Sequence, residues 1–218
     1  NAAFDDQLTP LNITFDDLRD MPTGLSVPLK PRYRKYAEIN PETDHPRGFK
    51  TPSRLLEIYS LTFAANGYSP LPVYSDLLEQ QVDRERFPLL MTASKPGAYT
   101  HGSYRSIPSL RRLVPEPSLQ INPETAKARG VEDGDWIALE TPRGSIQMRA
   151  AYRGDVQPDV VVGQEGWWQA CDVLDLPGYD PFSEKGSNLN LLMTNSVIDP
   201  VSGSVPHRGQ PCEVRPLD

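Results

Sequence analysis

Apolar and polar positions alternate in short, repeatedly interrupted bursts along this chain, and the bursts become denser after Phe87. From Asn1 to about Gly48 the sequence is polar and proline-rich, with runs such as Pro28-Leu29-Lys30-Pro31-Arg32-Tyr33-Arg34-Lys35, and it shows no sustained period. This predicts extended loop with one short helix near Thr14–Arg19, capped by Thr14 or Asp16. In Thr51–Ser60, Leu56, Ile58 and Ser60 alternate with Leu55, Glu57 and Tyr59, which reads as one strand before the turn-rich Asn66–Pro72. After Phe87, Pro88–Ala93 reads as a strand and Ile107–Val114 carries helical spacing. Asn122-Pro123-Glu124-Thr125 places a capping residue, a proline at the first helical position and an acid in the first turn, and Gly130 stands where a left-handed cap ends a short helix. Trp136–Thr141, a tight turn at Pro142-Arg143-Gly144 and Ser145–Tyr152 make two further strands, followed by Val160–Val162 and Cys212–Leu217. Many short strands with one or two short helices over this stretch predict a mainly β fold, a closed or nearly closed barrel.

Composition narrows this picture. Proline occurs 23 times in 218 residues, about twice the usual ~5%, and so many prolines exclude a chain of long helices. A hydrophobic share of 38% is enough for a core, and 2 Cys exclude a disulfide scaffold. The formal charge of −7 argues against a general nucleic-acid surface, which needs many cations against phosphate. No apolar run approaches the ~18 residues that would span a bilayer, and Asn1-Ala2-Ala3-Phe4-Asp5-Asp6 has no basic and apolar leader pattern. The first residue is not Met, which fits a piece cut from a longer protein.

One segment departs from the acidic average. Between Phe87 and Val114 there is no Asp or Glu, while Lys95, Arg105, Arg111 and Arg112 are present among Thr92, Ser94, Thr100, His101 and Ser103. Gly97, Gly102 and Pro96 make the stretch after the Pro88–Ala93 strand a loop whose amides, hydroxyls and guanidinium groups suit an anion; the competing reading puts Arg111-Arg112 on a solvated helix face. A second cluster holds Asn188, Asn190, Asp199-Pro200-Val201-Ser202-Gly203 and His207-Arg208. The asparagine amides suit the mixed donor and acceptor edge of a heterocycle, or else cap and turn the backbone. Trp167-Trp168 either stack on a ring or fill a core. No nucleophile elbow, Walker loop, Gly-x-Gly-x-x-Gly or Cys-x-x-Cys occurs, and His45, His101 and His207 lack metal-ligand spacing. The residues form a binding surface without a reacting group, so neither catalytic nor metal-ligating residues are expected.

In order along the chain, Leu90-Met91-Thr92-Ala93-Ser94-Lys95, Thr100-His101-Gly102-Ser103-Tyr104-Arg105, Ile121-Asn122-Pro123-Glu124-Thr125-Ala126, Gly130-Val131-Glu132-Asp133-Gly134-Asp135, Thr141-Pro142-Arg143-Gly144, Gly166-Trp167-Trp168, Asn188-Leu189-Asn190 and Asp199–Gly203 resemble the C-terminal molybdopterin-dinucleotide-binding domain of dimethyl-sulfoxide-reductase-type molybdenum and tungsten oxidoreductases. Phe49–Ser60 and Pro70-Leu71-Pro72-Val73-Tyr74 resemble the segment that precedes it. The resemblance implies a double-psi β-barrel over residues 87–218, of the kind found in formate dehydrogenase and dimethyl sulfoxide reductase, after an extended proline-rich connecting segment over 1–86. It implies bis(molybdopterin guanine dinucleotide) carrying Mo or W, with the metal ligand and a 4Fe-4S cluster outside this chain, which would be inactive alone.

By the same resemblance, Thr92, Ala93, Ser94, Lys95, Tyr99, His101, Ser103, Tyr104 and Arg105 would wrap pterin and diphosphate with their donors. Asn122 and Asp135 would lie at the guanine or ribose end, Trp167 would belong to the site, and Asn188, Asn190, His207 and Arg208 would close its second side. The family commonly carries Arg near Lys95 and an aromatic and Lys where His207-Arg208 stand; both replacements keep donors. Thr51-Pro52-Ser53, Tyr104–Arg111 and Gly166-Trp167-Trp168 look most like polysulfide or thiosulfate reductases and acetylene hydratase. Implied partners are the rest of the same subunit, an Fe-S electron-transfer subunit and a membrane-anchor subunit, in the periplasm or cytoplasm of a prokaryote, with no nucleic acid and no direct membrane insertion. The alternative is a free-standing barrel that recognises proteins without catalysis.

Overall fold

The structure is a computed structural model that describes residues 1–27, 31–74 and 82–217. Residues 28–30 of the basic run lie outside the described residues. The chain divides into two compact units, Asn1–Val73 and Tyr74–Asp218.

The first unit holds small elements. Helix α1 (Ala2–Leu8) is followed by a 3-10 turn at Thr9–Leu11 and by α2 (Phe15–Arg19). Phe4 stacks on Phe15 at 5.0 Å, and the Asp5 carboxylate accepts from the Phe15 amide at 2.7 Å. Thr14 caps α2 as expected: its hydroxyl accepts from Asp17 N at 3.1 Å, and Asp17 accepts from Thr14 N at 2.8 Å, a reciprocal box. Strands β1 (Ile39–Asn40) and β2 (His45–Pro46) pair antiparallel beside the Tyr36–Phe49 stack, and α3 (Leu61–Ala65) begins at a Ser60 cap. The unit therefore holds more local structure than the expected loop and single helix.

The strand expected at Thr51–Ser60 does not form. The Thr51 hydroxyl donates to Leu55 O at 2.6 Å and the Glu57 carboxylate accepts from Ser53 N at 2.9 Å, local bonds that replace a ladder. Leu55, Leu56 and Ile58 stay exposed at 69%, 73% and 80%. Alternation makes a strand only where a neighbouring edge takes up its backbone groups, and no strand pairs with this stretch among the described residues.

The second unit is a closed six-stranded barrel. Its strands are β3 (Leu89–Ser94), β4 (Ser118–Ile121), β5 (Trp136–Thr141), β6 (Gly144–Tyr152), β7 (Val160–Gln164) and β8 (Gln210–Pro216), in the spatial order β3-β7-β4-β6-β5-β8. The pairs β3·β7 and β4·β6 are parallel and the other four antiparallel, the interlocked crossovers of the expected double-psi barrel. Alternate residues fill the core: Met91, Leu119, Ile121, Ile137, Leu139, Ile146, Met148, Val161 and Cys212 are fully buried. The β5–β6 hairpin turns at Pro142-Arg143 between paired Thr141 and Gly144. Helix α5 (Pro123–Lys127) has Asn122 as its cap, accepting from Glu124 N at 3.0 Å, and Gly130 has a φ of +69°. The helical spacing over Ile107–Val114 yields only the four-residue α4 (Pro108–Arg111) before Pro115.

Candidate functional site

Parallel pairing sets Ser94 opposite Gln164, so the loops leaving β3 and β7 emerge side by side. The loop before β8 joins them, because Gly209 N donates to Met91 O at 2.9 Å. The 3-10 turn Leu189–Leu192, begun by an Asn188 cap, closes the remaining side. Together they bound a cleft of about 980 Å³. Ala93, Ser94, Lys95 and His101 line one wall, Asn190, His207 and Arg208 the other, with Leu189, Met193 and Pro206 as the apolar part. Glu165 is the single acid among the lining residues.

Behind the lining residues lies a buried cluster of rings and cations, in which the Tyr99 and Trp167 rings meet edge to face. The Arg105 guanidinium sits 4.4 Å from the Tyr99 ring and 4.8 Å from that of Trp167, and Arg111 lies 5.0 Å from Trp167 on its own account. Both arginines are fully buried, and neither has a carboxylate ion pair among the described residues. Carbonyls take that place. Arg105 donates to the main-chain oxygens of His101, Ser103 and Glu165, and Arg111 to those of Pro115, Arg105, Gln169 and Pro177. Each desolvated cation–π contact stabilises by about 2 kcal/mol, which helps offset the cost of an unpaired buried charge. Burial holds the Arg105 guanidinium below its usual pKa, while the facing Tyr99 raises it. Burial likewise raises the Tyr99 phenol, whose hydroxyl donates to Val114 O at 2.6 Å.

The site residues expected from the sequence therefore fall into three groups. Ala93, Ser94, Lys95, His101, Asn190, His207 and Arg208 meet at the cleft. Tyr99, Arg105 and Trp167 form the buried cluster behind it, with no exposed donor toward the cleft. Thr92 sits one step earlier in β3, paired with Val162, while Ser103 and Tyr104 lie on the exposed turn before Arg105. The remaining residues have local duties. Asn122 caps α5 and donates to Val156 O at 3.0 Å, and it follows Ile121, which pairs with Val161 at the end of β7 away from the cleft. Asp135 accepts from Glu132 N at 2.8 Å, and the Asn188 amide donates to Pro181 O at 2.8 Å.

Glu165 is the residue that sequence reasoning passed over. Its oxygen Oε1 lies 3.2 Å from His101 Nδ1, outside linear hydrogen-bond geometry, and the other imidazole nitrogen, Nε2, is 3.3 Å from Lys95 Nζ. The available signal was an acid directly after the apolar Val160–Val162 run and before Gly166-Trp167-Trp168. Only the β3·β7 register places it beside Lys95.

Residues 89–211 match the family described as "Molydopterin dinucleotide binding domain". Among curated relatives, dopamine dehydroxylase of Eggerthella lenta is 32% identical over 165 residues, covering 72% of this chain and 16% of that protein. Acetylene hydratase of Syntrophotalea acetylenica is 29% identical over 65% of this chain and 20% of its own length. Dimethyl sulfoxide reductase DmsA of Escherichia coli is 27% identical over 89% of this chain and 24% of that protein. The chain thus spans about a quarter or less of the length of these relatives. Among solved structures, acetylene hydratase from Pelobacter acetylenicus superposes with a TM-score of 0.66 at 20% identity, covering 96% of this chain and 28% of that one, a likeness of fold.

Proposed function

This chain belongs to the molybdopterin dinucleotide-binding domain family, and we propose that its cleft holds one side of a pyranopterin guanine dinucleotide within a larger molybdenum or tungsten oxidoreductase. The observation that carries this reading is the donor set at the ends of β3 and β7: Lys95, Arg208, His101 and His207 converge with the Asn190 amide and the Ser94 hydroxyl around a single carboxylate. That set fits the group. Cations suit a diphosphate, an amide suits a heterocycle edge, and the apolar Leu189, Met193 and Pro206 suit the flat face of a ring. When bound, such a cofactor supplies the dithiolene sulfurs that hold the metal. This chain's own part is to bind and orient it and to keep water from that side.

The relatives carry different names at similar identity, a dehydroxylase, a hydratase and a sulfoxide reductase. On our reading the domain fixes the cofactor while the reaction is decided elsewhere, by a metal ligand and a 4Fe-4S cluster supplied by other parts of the enzyme. Partner subunits for electron transfer and membrane attachment belong to the same reading. A free-standing protein-recognition barrel draws no support from these matches. The test is cofactor content: Lys95→Ala with Arg208→Ala in the complete enzyme should lower extractable pterin dinucleotide and metal several-fold while barrel melting is unchanged. Normal content in that variant would overturn the assignment.

A further inference from the structure

Two residues of the cleft are acceptor-only or donor-only, and between them they dictate the state of a third. The Lys95 ammonium can only donate, so the Nε2 it approaches at 3.3 Å must offer a lone pair. Glu165 Oε1 can only accept when ionised; it is buried, and no hydrogen-bond donor satisfies it among the described residues. Its near neighbour is His101 Nδ1 at 3.2 Å. A lone pair on Nδ1 would set acceptor against acceptor at 3.2 Å, beside an Oε1 that is itself shielded from water, so Nδ1 carries the proton. This is the reverse of the tautomer that free histidine favours in solution.

The backbone that aims these two side chains is itself clamped. Arg105 bridges the carbonyls of His101 and Glu165, one in the loop after β3 and the other directly after β7. Its guanidinium lies against the Tyr99 and Trp167 rings, which themselves meet edge to face. The loops touch at Gly166, where an added Cβ would lie 2.5 Å from His101 O. His101 is also held at a φ of +48°, a conformation that non-glycine residues keep only where surrounding bonds impose it.

We propose that Glu165 and Arg105 are positioning residues that lock His101 as its Nδ1–H tautomer, so that Nε2 accepts from the Lys95 ammonium and holds it at the cleft. The inference rests on the cofactor reading for its purpose. His101 then acts through Lys95: its Nε2 lone pair is taken by the ammonium and holds it at the cleft wall, where Lys95 and Arg208 face phosphate oxygens. This alters the role that resemblance implied for His101, which was to donate.

The experiment is long-range ¹H–¹⁵N correlation of the imidazoles in the full 218-residue chain without cofactor, at a pH where His101 is neutral, with His45 as internal control. The expected result is a protonated Nδ1 and an unprotonated Nε2 for His101. Glu165→Leu, which removes the acceptor, should move it to the Nε2–H form or to an exchanging mixture, leaving His45 unchanged. Arg105→Lys, which can bridge fewer carbonyls, should do the same in a chain whose barrel amide signals are retained. An Nε2–H tautomer in the unmodified chain, or no change on Glu165→Leu in a chain whose barrel amide signals are retained, would overturn the proposal; an unchanged tautomer in folded Arg105→Lys would overturn the part given to Arg105. Because no cofactor is present, failure here leaves the cofactor reading standing. Normal cofactor content in the Lys95/Arg208 variant, in turn, leaves the tautomer standing.

Discussion

The guanidinium of Arg105 lies 4.8 Å from the ring of Trp167, inside a barrel unit where both side chains are almost wholly shielded from water. The ring therefore supplies the charge with an attractive face that a carboxylate would elsewhere provide. Trp167→Leu keeps an apolar side chain but removes that face from Arg105 and Arg111 together. It should destabilise the barrel by about 3–5 kcal/mol, from lost volume and lost cation–π attraction, measured as the shift in urea midpoint at unchanged slope. A loss below about 1 kcal/mol would mean that the carbonyls alone hold the two cations.

Asn122 separates two roles that sequence spacing could not. Its side chain caps α5 through Glu124 N and holds Val156 O, at the end of β7 away from the cleft. Asn122→Ala should cost about 2 kcal/mol, the usual value of a cap plus one hydrogen bond. Cofactor content of the complete enzyme should not change. A marked fall in cofactor content with stability intact would return Asn122 to the binding site.

Gly166 offers a steric test of the loop crossing under the cleft. Its φ is +82°, and a Cβ there would lie 2.5 Å from His101 O and 2.8 Å from Gly102 Cα, both backbone. Gly130 also has positive φ, at +69°, with nothing within 4 Å of the added atom. Gly130→Ala should cost about 1–2 kcal/mol from backbone strain alone. Gly166→Ala adds overlap that only a movement of the 101–102 loop relieves, so its loss should be clearly larger, with backbone amide shifts at His101 and Gly102. Equal losses at the two glycines would show that the crossing yields.

The contrast between these residues explains how far the sequence could be read. Patterns completed within a few positions were legible: the Thr14 box, the Asn122 cap and the β5–β6 hairpin all depend on neighbours in the chain. Strand β4 was missed because it is only four residues long and its partners, β6 and β7, lie far along the chain. Arg105 carried a legible signal, a cation in a segment free of acids, and Trp167 an aromatic after Gly166, but burial is a property of the packed barrel and sets their side chains against each other and main-chain carbonyls. Glu165 was invisible for the same reason, since nothing local ties it to Lys95 and His101.

Tyrosines make the last prediction, on alkaline stability. Burial raises the phenol of Tyr99, only partly offset by Arg111 and Arg105, and burial likewise raises that of Tyr179. A folded-state pKa above the unfolded value means the neutral phenol is favoured by folding. Its contribution is complete below the unfolded value, about 10, and is lost as pH rises from there through the folded value. The barrel should therefore lose stability above about pH 10, and the phenolate absorbance of Tyr99 and Tyr179 should develop above the usual phenol range. Tyr99→Phe removes one ionising group and the hydrogen bond to Val114 O. It should lower stability at neutral pH by about 1 kcal/mol and flatten the alkaline decline. If Tyr99→Phe leaves the slope above pH 10 unchanged, the buried phenol is not the group that opens the barrel in alkali.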